Sequence, residues 1–255
     1  MFLSFLMCVH KDQPFIDKAV RSMIEQSFDG DYEIIIVAND CSESFYRKLQ
    51  CYRDLSDRIK LHRTSIGQLA FNLNYGINEA RGEYIVRMDA DDVCLPDRLT
   101  NTLQAIEKNG YPDLLAALAQ SINESDEVIG KPGRPRSSYE VHKLLRFKNP
   151  IVHPATAIKR DSLLKVRGYL GGINCEDMDL WLRMDRLGMK MLIGDFVAIQ
   201  YRINQFQVKG SRIAYADGVG LLLREGLYRS SMGHLLGAVL AFMKFMLFVI
   251  IKKIK

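Results

Sequence analysis

The chain holds little that would cross-link a small secreted fold. Its 255 residues include five cysteines, Cys8, Cys41, Cys51, Cys94 and Cys175, and no two are spaced Cys-x-x-Cys. An odd number without that spacing argues against a disulfide framework and against a zinc site. It fits a reducing cytoplasm. No charge of one sign dominates: 35 Lys and Arg stand against 30 Asp and Glu, a net charge of +5. That bias is too weak to imply a nucleic-acid partner. It is compatible with an anionic substrate or an anionic membrane face. Glycine is missing from Cys8-Val9-His10-Lys11-Asp12-Gln13-Pro14, so no glycine-rich phosphate loop follows the first apolar run. That run, Met1–Val9, lacks a basic leader and a small-residue cleavage site. It reads as a first buried strand and not as a signal peptide. There is no internal repeat.

What is present is a globular composition, with 48% hydrophobic residues, which excludes general disorder. The length suits one large domain or two small ones. Strand and helix patterns alternate over the first hundred residues. Phe2–Val9, Glu33–Ala38, Ile59–Arg63 and Tyr84–Met88 read as strands. Ile16–Gln26, Phe45–Leu55, Leu69–Ala80 and Pro96–Asn109 carry helical spacing or helix punctuation. This βαβ rhythm predicts an α/β fold with a mostly parallel sheet and helices on both faces. Ligands of such sheets bind at the carboxyl ends of the strands. His10, Asp40 and the Asp89–Asp92 cluster all fall just past strand ends, on one rim. Asn123–Ser138 is rich in Gly, Pro and charge and reads as an excursion. Beyond it come a helix near Tyr139–Phe147, a strand near Ala155–Lys159 and a helix near Met178–Leu187. The domain proper is expected over 1–210, with a nucleotide-binding half to about residue 110 and an acceptor half after it. The 211–255 segment is expected to be helical.

Three clusters carry chemistry. In Met88-Asp89-Ala90-Asp91-Asp92, three carboxylates crowd into four residues. They repel one another unless a cation or solvated partners intervene. Mg²⁺ or Mn²⁺ is the natural ligand, with substrate phosphates completing its shell. The alternative is an acidic loop capping the next helix. Asp40, after Ala38-Asn39, can accept hydrogen bonds from a nucleobase or ribose, or it can merely close a turn. In Asn174-Cys175-Glu176-Asp177-Met178-Asp179-Leu180-Trp181, the acids suit a helix N-terminus. One of them can equally serve as a general base. Trp181, the only tryptophan, belongs to the core or flanks a sugar.

Taken in order, these signals resemble the family 2 glycosyltransferases of the GT-A fold, over roughly residues 2–205. The matching elements are Val9-His10-Lys11, Ser22–Phe28, Glu33–Asp40, Asn74–Ile85, Asp89–Asp92 with Leu95–Leu99, and Glu176–Arg183. The resemblance implies transfer of a hexose, from UDP-galactose or UDP-glucose, to an acceptor hydroxyl with inversion. It implies that Asp91 and Asp89 hold Mn²⁺ or Mg²⁺, that Asp89 also meets the ribose, and that Asp40 and His10 meet the base. It makes Asp177 the base, with Glu176, His153 and Trp181 near the acceptor. Three departures stand out: Asn39-Asp40 where the family often has two aspartates, Cys41 where it has glycine, and Ile203-Asn204 after Tyr201-Arg202 where it often has histidine. Asn204 or water would then complete the metal shell. Arg202 and Lys209 become candidates to hold the diphosphate. A nucleotidylyltransferase is disfavoured by the glycine-free first loop. A non-catalytic nucleotide-sugar-binding protein is disfavoured by the intact carboxylates.

Leu235–Ile251 is an apolar run broken only by Gly237 and Lys244 and followed by Lys252, Lys253 and Lys255. About 20 apolar residues span a bilayer, and Lys244 argues against a span. A helix lying on an anionic inner-membrane surface is expected, the alternative being a helix packed on the protein's own core or in a dimer. With that anchor, the expected location is the cytoplasmic face of the plasma membrane. The expected acceptor is a saccharide or an undecaprenyl- or other lipid-linked precursor of O-antigen, lipopolysaccharide core or capsule.

Overall fold

A computed structural model describes residues 1–171, 174–203 and 205–254, with side chains of 205–212 and 248–254 left out. Asn204 and the Lys209 side chain, two of the candidates above, therefore lie outside the described residues.

The nucleotide-half strands form as the β-branched runs predict. They are β1 (Leu3–Val9), β2 (Tyr32–Asn39), β3 (Ile59–Thr64) and β4 (Tyr84–Met88). Helices α1 (Ile16–Ile24), α2 (Glu43–Arg53) and α3 (Leu69–Glu79) connect them. Every residue of β2 is buried, as expected of a strand covered on both faces. Period-two alternation splits the core. Phe5, Met7, Ile34, Ile36 and Ala38 face one hydrophobic cluster, while Leu6, Ile35 and Val37 face the other.

Beyond β4 come the two-residue β5 (Val93–Cys94), α4 (Arg98–Lys108), β6 (Leu114–Ile122) and α5 (Ser138–Leu145). Then follow β7 (Thr156–Lys159), α6 (Arg160–Lys165), α7 (Glu176–Arg186) and β8 (Met191–Arg202). All strands join one sheet in the order β3-β2-β1-β4-β7-β6-β8-β5. β1 to β4 run parallel, β7 runs antiparallel to both its neighbours, and β6 and β8 are parallel. The sheet is thus mixed and mostly parallel, flanked by helices: the GT-A arrangement. α5 opens with a capping box between Ser137 and Glu140.

The chain ends in two helices, α8 (Gln205–Tyr228) and α9 (Met232–Ile254). α8 runs without a break through the 210/211 position. The hairpin is tied to α7 by ion pairs. Arg224 meets Asp179 at 2.7 Å, while Arg186 binds Glu225 and Arg229 binds Asp185. Leu222 and Ala238 are buried in the second core cluster. A Cβ at Gly237 would overlap the Arg146 carbonyl, so glycine is what lets α9 seat there. The outer side of α9 shows exposed Leu236, Val239, Leu240, Phe242, Met243, Met246 and Leu247. No helix among the described residues is long and apolar enough to cross a membrane.

Candidate active site

The ends of β1, β2 and β4 build one rim. His10, just past β1, donates from Nδ1 to the Asn39 carbonyl at 2.8 Å. That bond ties the exposed ring to the end of β2. Asp40 follows with φ 46°, a left-handed conformation that aspartate tolerates better than most residues. Its N–H donates to the Thr64 carbonyl at 2.9 Å. The turn stops β2 and leaves the carboxylate exposed on the rim.

β4 ends in the acidic cluster. Arg87, fully buried, donates to Asp89 Oδ1 at 2.5 Å and also bonds the Leu6 and Met88 carbonyls. Asp89 is thereby fixed through one oxygen. β5 pairs with Gln200 and Ile199 of β8, which pins the 89–92 turn against the far half of the sheet. Burial, and then the Asp89 charge, push the Asp91 carboxyl up to about 6. The same two causes push Asp92 up to about 9. Asp92 is fully buried and its Oδ1 accepts the Arg202 N–H at 2.8 Å. It ties the turn to β8, buried away from ligand, and it does not cap the next helix as the alternative supposed, since the N-cap of α4 is Asp97.

α7 brings the second acidic set to the same place. Glu176 and Asp177 open the helix, where acids are favoured. Asp177 accepts from the Met178 N–H at 2.6 Å and from Asn149 Nδ2 at 2.7 Å. Burial raises the Asp177 carboxyl above the ordinary carboxylate range, and Asp89 adds to the rise. Burial likewise lifts Glu176 to about 7. The Asp89 field thus reaches Asp91, Glu176 and Asp177 together. The strand-end carboxylates and the helix-start carboxylates are thus near enough to act on one another. Tyr201, on β8, feels Asp89, Asp91, Asp92 and Asp177. The sequence assigns no role to Arg87, Asn149 or Tyr201, although Tyr201 stands in the Tyr201-Arg202 pair. For Asn149 there was a local signal, the Asn-Pro dipeptide that favours a turn.

Burial first, and neighbouring carboxylates after it, hold the Asp91, Glu176 and Asp177 carboxyls above their usual range, and a bound cation would relieve that crowding. Among the described residues no three His, Cys, Asp or Glu side chains form a metal cage. Mg²⁺ and Mn²⁺ need less than a cage when one or two carboxylates and substrate phosphates supply the ligands. Asp91 and Asp89 fit that description.

Two expectations need correction. Arg202 does not offer itself to a diphosphate. Its side chain has no exposed surface and its fork is spent inside the protein. Nε donates to the Asp91 carbonyl at 2.8 Å, Nη1 to the Asn123 carbonyl at 2.7 Å and Nη2 to Asp126 at 2.6 Å. The guanidinium also covers the Phe15 ring at 3.9 Å. Trp181 is fully buried, so it is a core residue and flanks no sugar. It supports His153 edge-on at 5.9 Å. His153 Nε2 lies 2.7 Å from the Tyr169 hydroxyl. Burial and nearby Arg87 hold the imidazole well below its usual pKa, so it is neutral.

A rim of strand-end aspartates near a helix-start acid pair, on a GT-A sheet, is the arrangement expected of a glycosyltransferase. Residues 4–167 match the family model described as Glycosyl transferase family 2, and the chain belongs to that family. It is 34% identical over 253 residues to the O-antigen biosynthesis glycosyltransferase WbnJ of Escherichia coli, covering 95% of each chain. It is 27% identical over 187 residues to the UDP-Gal:alpha-D-GlcNAc-diphosphoundecaprenol beta-1,3-galactosyltransferase of Escherichia coli, covering 71% of this chain and 66% of that protein. Among solved structures, the mannosyltransferase PcManGT from Pyrobaculum calidifontis in complex with GDP-Man and Mn²⁺ shares the fold. Its TM-score is 0.67 at 15% identity, covering 95% of this chain and 74% of that one.

Proposed function

We propose that this glycosyltransferase moves a hexose from a UDP-sugar, galactose or glucose, to a hydroxyl of a bacterial surface-polysaccharide precursor, with inversion at the anomeric carbon. One observation carries the reading: Asp89 and Asp91 at a strand end share one electrostatic field with Asp177 at a helix start. In this reading the acceptor hydroxyl gives its proton to the Asp177 carboxylate as its oxygen bonds the anomeric carbon. The bond to the diphosphate breaks with its electron pair, and the nucleoside diphosphate leaves. A divalent cation on Asp91 and Asp89 supplies positive charge for that leaving group. His10 and Asp40 receive the base, and Asp89 the ribose. Glu176 and His153 border the acceptor. The galactosyltransferase relative supports a UDP-sugar and a lipid-diphosphate acceptor. The WbnJ relative supports O-antigen synthesis, and the Mn²⁺ in the mannosyltransferase supports the metal.

The test is a donor panel. Purified protein with Mn²⁺ or Mg²⁺ is expected to release nucleotide slowly from one UDP-hexose. Asp91→Ala is expected to remove that release, about a hundredfold or more, the scale of losing one charge-stabilising group. A thermal shift without release from any nucleotide-sugar would favour the non-catalytic binding protein, and neither shift nor release would point to a site assembled only when the acceptor lipid is present.

We also place the protein at the cytoplasmic face of the plasma membrane. The exposed α9 stripe supports this: Leu236, Leu240, Met243 and Leu247 recur at helical spacing, and residues 232–255 contain no acid. A helix of that kind lies in the interface of anionic bilayers. Leu236→Glu, Leu240→Glu and Met243→Glu combined are expected to shift the protein from vesicle pellet to supernatant while leaving the melting temperature unchanged. Co-sedimentation of the triple variant with vesicles would overturn the placement.

A further inference from the structure

The Asn149-Pro150-Ile151 turn joins α5 to β7. Its geometry is specific. Asn149 Oδ1 accepts the Ile151 N–H at 3.0 Å, closing a small side-chain-to-backbone turn. That bond settles the orientation of the amide, because the oxygen is committed to the backbone. The amide NH₂ is therefore the end that points to Asp177, and it donates to Oδ2 at 2.7 Å. The other carboxylate oxygen is held by the Met178 N–H at 2.6 Å.

We propose that Asn149 is the positioning residue of the base: its fixed amide donor holds the Asp177 carboxylate in one orientation and stabilises its charged form. This rests on the reading of Asp177 as the base. A buried carboxylate prefers to be protonated, and a protonated carboxyl accepts no proton from an acceptor hydroxyl. A neutral donor opposes that preference without adding a positive charge that would hold the departing diphosphate. Lysine or arginine at this place would lower the pKa further, but at that cost. The amide also restricts which lone pair meets the incoming hydroxyl, since two of the carboxylate's acceptor positions are already taken.

Other groups face Asp177. Glu176 and Cys175 lie on its own segment, Asp89 follows β4, Tyr169 precedes α7, and Tyr201 is on β8. Burial pushes the Cys175 thiol up to about 12 and raises both tyrosines, so these three stay neutral across the assay range. Glu176, at about 7, changes charge within it.

Asn149→Asp separates positioning from a merely structural role. Aspartate keeps the acceptor for the Ile151 N–H, so the turn survives. It replaces the donor with an acid that shares a proton with Asp177. The acid limb of the transfer-rate profile is expected to move up by more than one pH unit, which is more than a tenfold loss at low pH. The rate recovers at high pH, and UDP affinity and melting temperature stay at the parent values. Asn149→Ala, the second variant, is expected to shift the limb by about one unit. Repeating both on a Glu176→Gln background shows whether the moving limb belongs to Asp177. A limb that stays in place, whatever the plateau rate, overturns the proposal. Asp177→Asn tells the two failures apart. If that variant transfers sugar normally, the base reading itself is wrong. If it is inactive and the Asn149 limbs have not moved, only the inference about Asn149 falls.

Discussion

Replacing Asp177 by asparagine is expected to lower sugar transfer by about a thousandfold, the middle of the range for removing a general base, with donor binding intact. Asparagine is nearly isosteric and retains an oxygen for the Met178 N–H, so α7 keeps its start. It cannot take a proton from the acceptor hydroxyl. The base is needed because a sugar hydroxyl is a poor nucleophile until its proton begins to leave. The charged carboxylate acts only above its own pKa. Burial raises that pKa, so the acid limb of the parent profile should stand above the ordinary carboxylate range, and activity is lost as pH falls through it. The measurement is single-turnover transfer to a saccharide acceptor, beside UDP titration of the same variant. Retained transfer would move the base role to Glu176, whose carboxyl sits at about 7 in the same cluster. Lost UDP binding would mean that the acid supports the donor side.

The contrast between halves of the chain shows what a sequence displays and what it hides. β2 is eight buried residues rich in isoleucine and valine, and no other element suits such a run. β6 is Leu-Leu-Ala-Ala-Leu-Ala-Gln-Ser-Ile. Its alanines have little strand preference, and only pairing with β7 and β8 holds it extended. β8 is interrupted by Gly194 and Asp195, and its pairing with β6 shifts register near Ala116 and Leu118. Such a bulged strand loses the clean period of two. The acidic clusters were legible because carboxylates at strand ends and helix starts need a reason to gather. Their convergence was not legible, since Asp177 lies 88 positions after Asp89 and the topology alone closes that gap. Arg202 was misread for the same reason. A basic residue beside the position where the family often has a metal-shell histidine looks like a ligand, and nothing local shows that its side chain turns inward to three separate segments.

That inward turn has a large consequence for stability. Arg202→Ala is expected to destabilise the fold by about 3–5 kcal/mol, the cost of deleting one partner of a buried charged network. For a chain of this size that is a melting-temperature drop on the order of 10 °C. The guanidinium holds the Asp91 carbonyl, the Asn123 carbonyl and the Asp126 carboxylate at once. Removing it takes one donor from each of two carbonyls, that of Asn123 keeping the Asp126 N–H at 3.1 Å, and leaves a void over Phe15. The bond from the Arg202 backbone to Asp92 survives, so the loss is carried by the side chain alone. Arg202→Lys should rescue little, because one ammonium cannot reproduce a planar fork directed at three acceptors. Asp126 is 41% exposed, so Asp126→Ala removes one bond of the buried guanidinium and leaves the two carbonyl bonds in place, and should cost less than Arg202→Ala. Calorimetry of the three variants therefore ranks Arg202→Ala and Arg202→Lys below Asp126→Ala. A diphosphate ligand would behave oppositely: the melting temperature would hold while donor KM rose. Arg202→Ala with an unchanged melting temperature and weakened UDP binding would return this residue to the donor site.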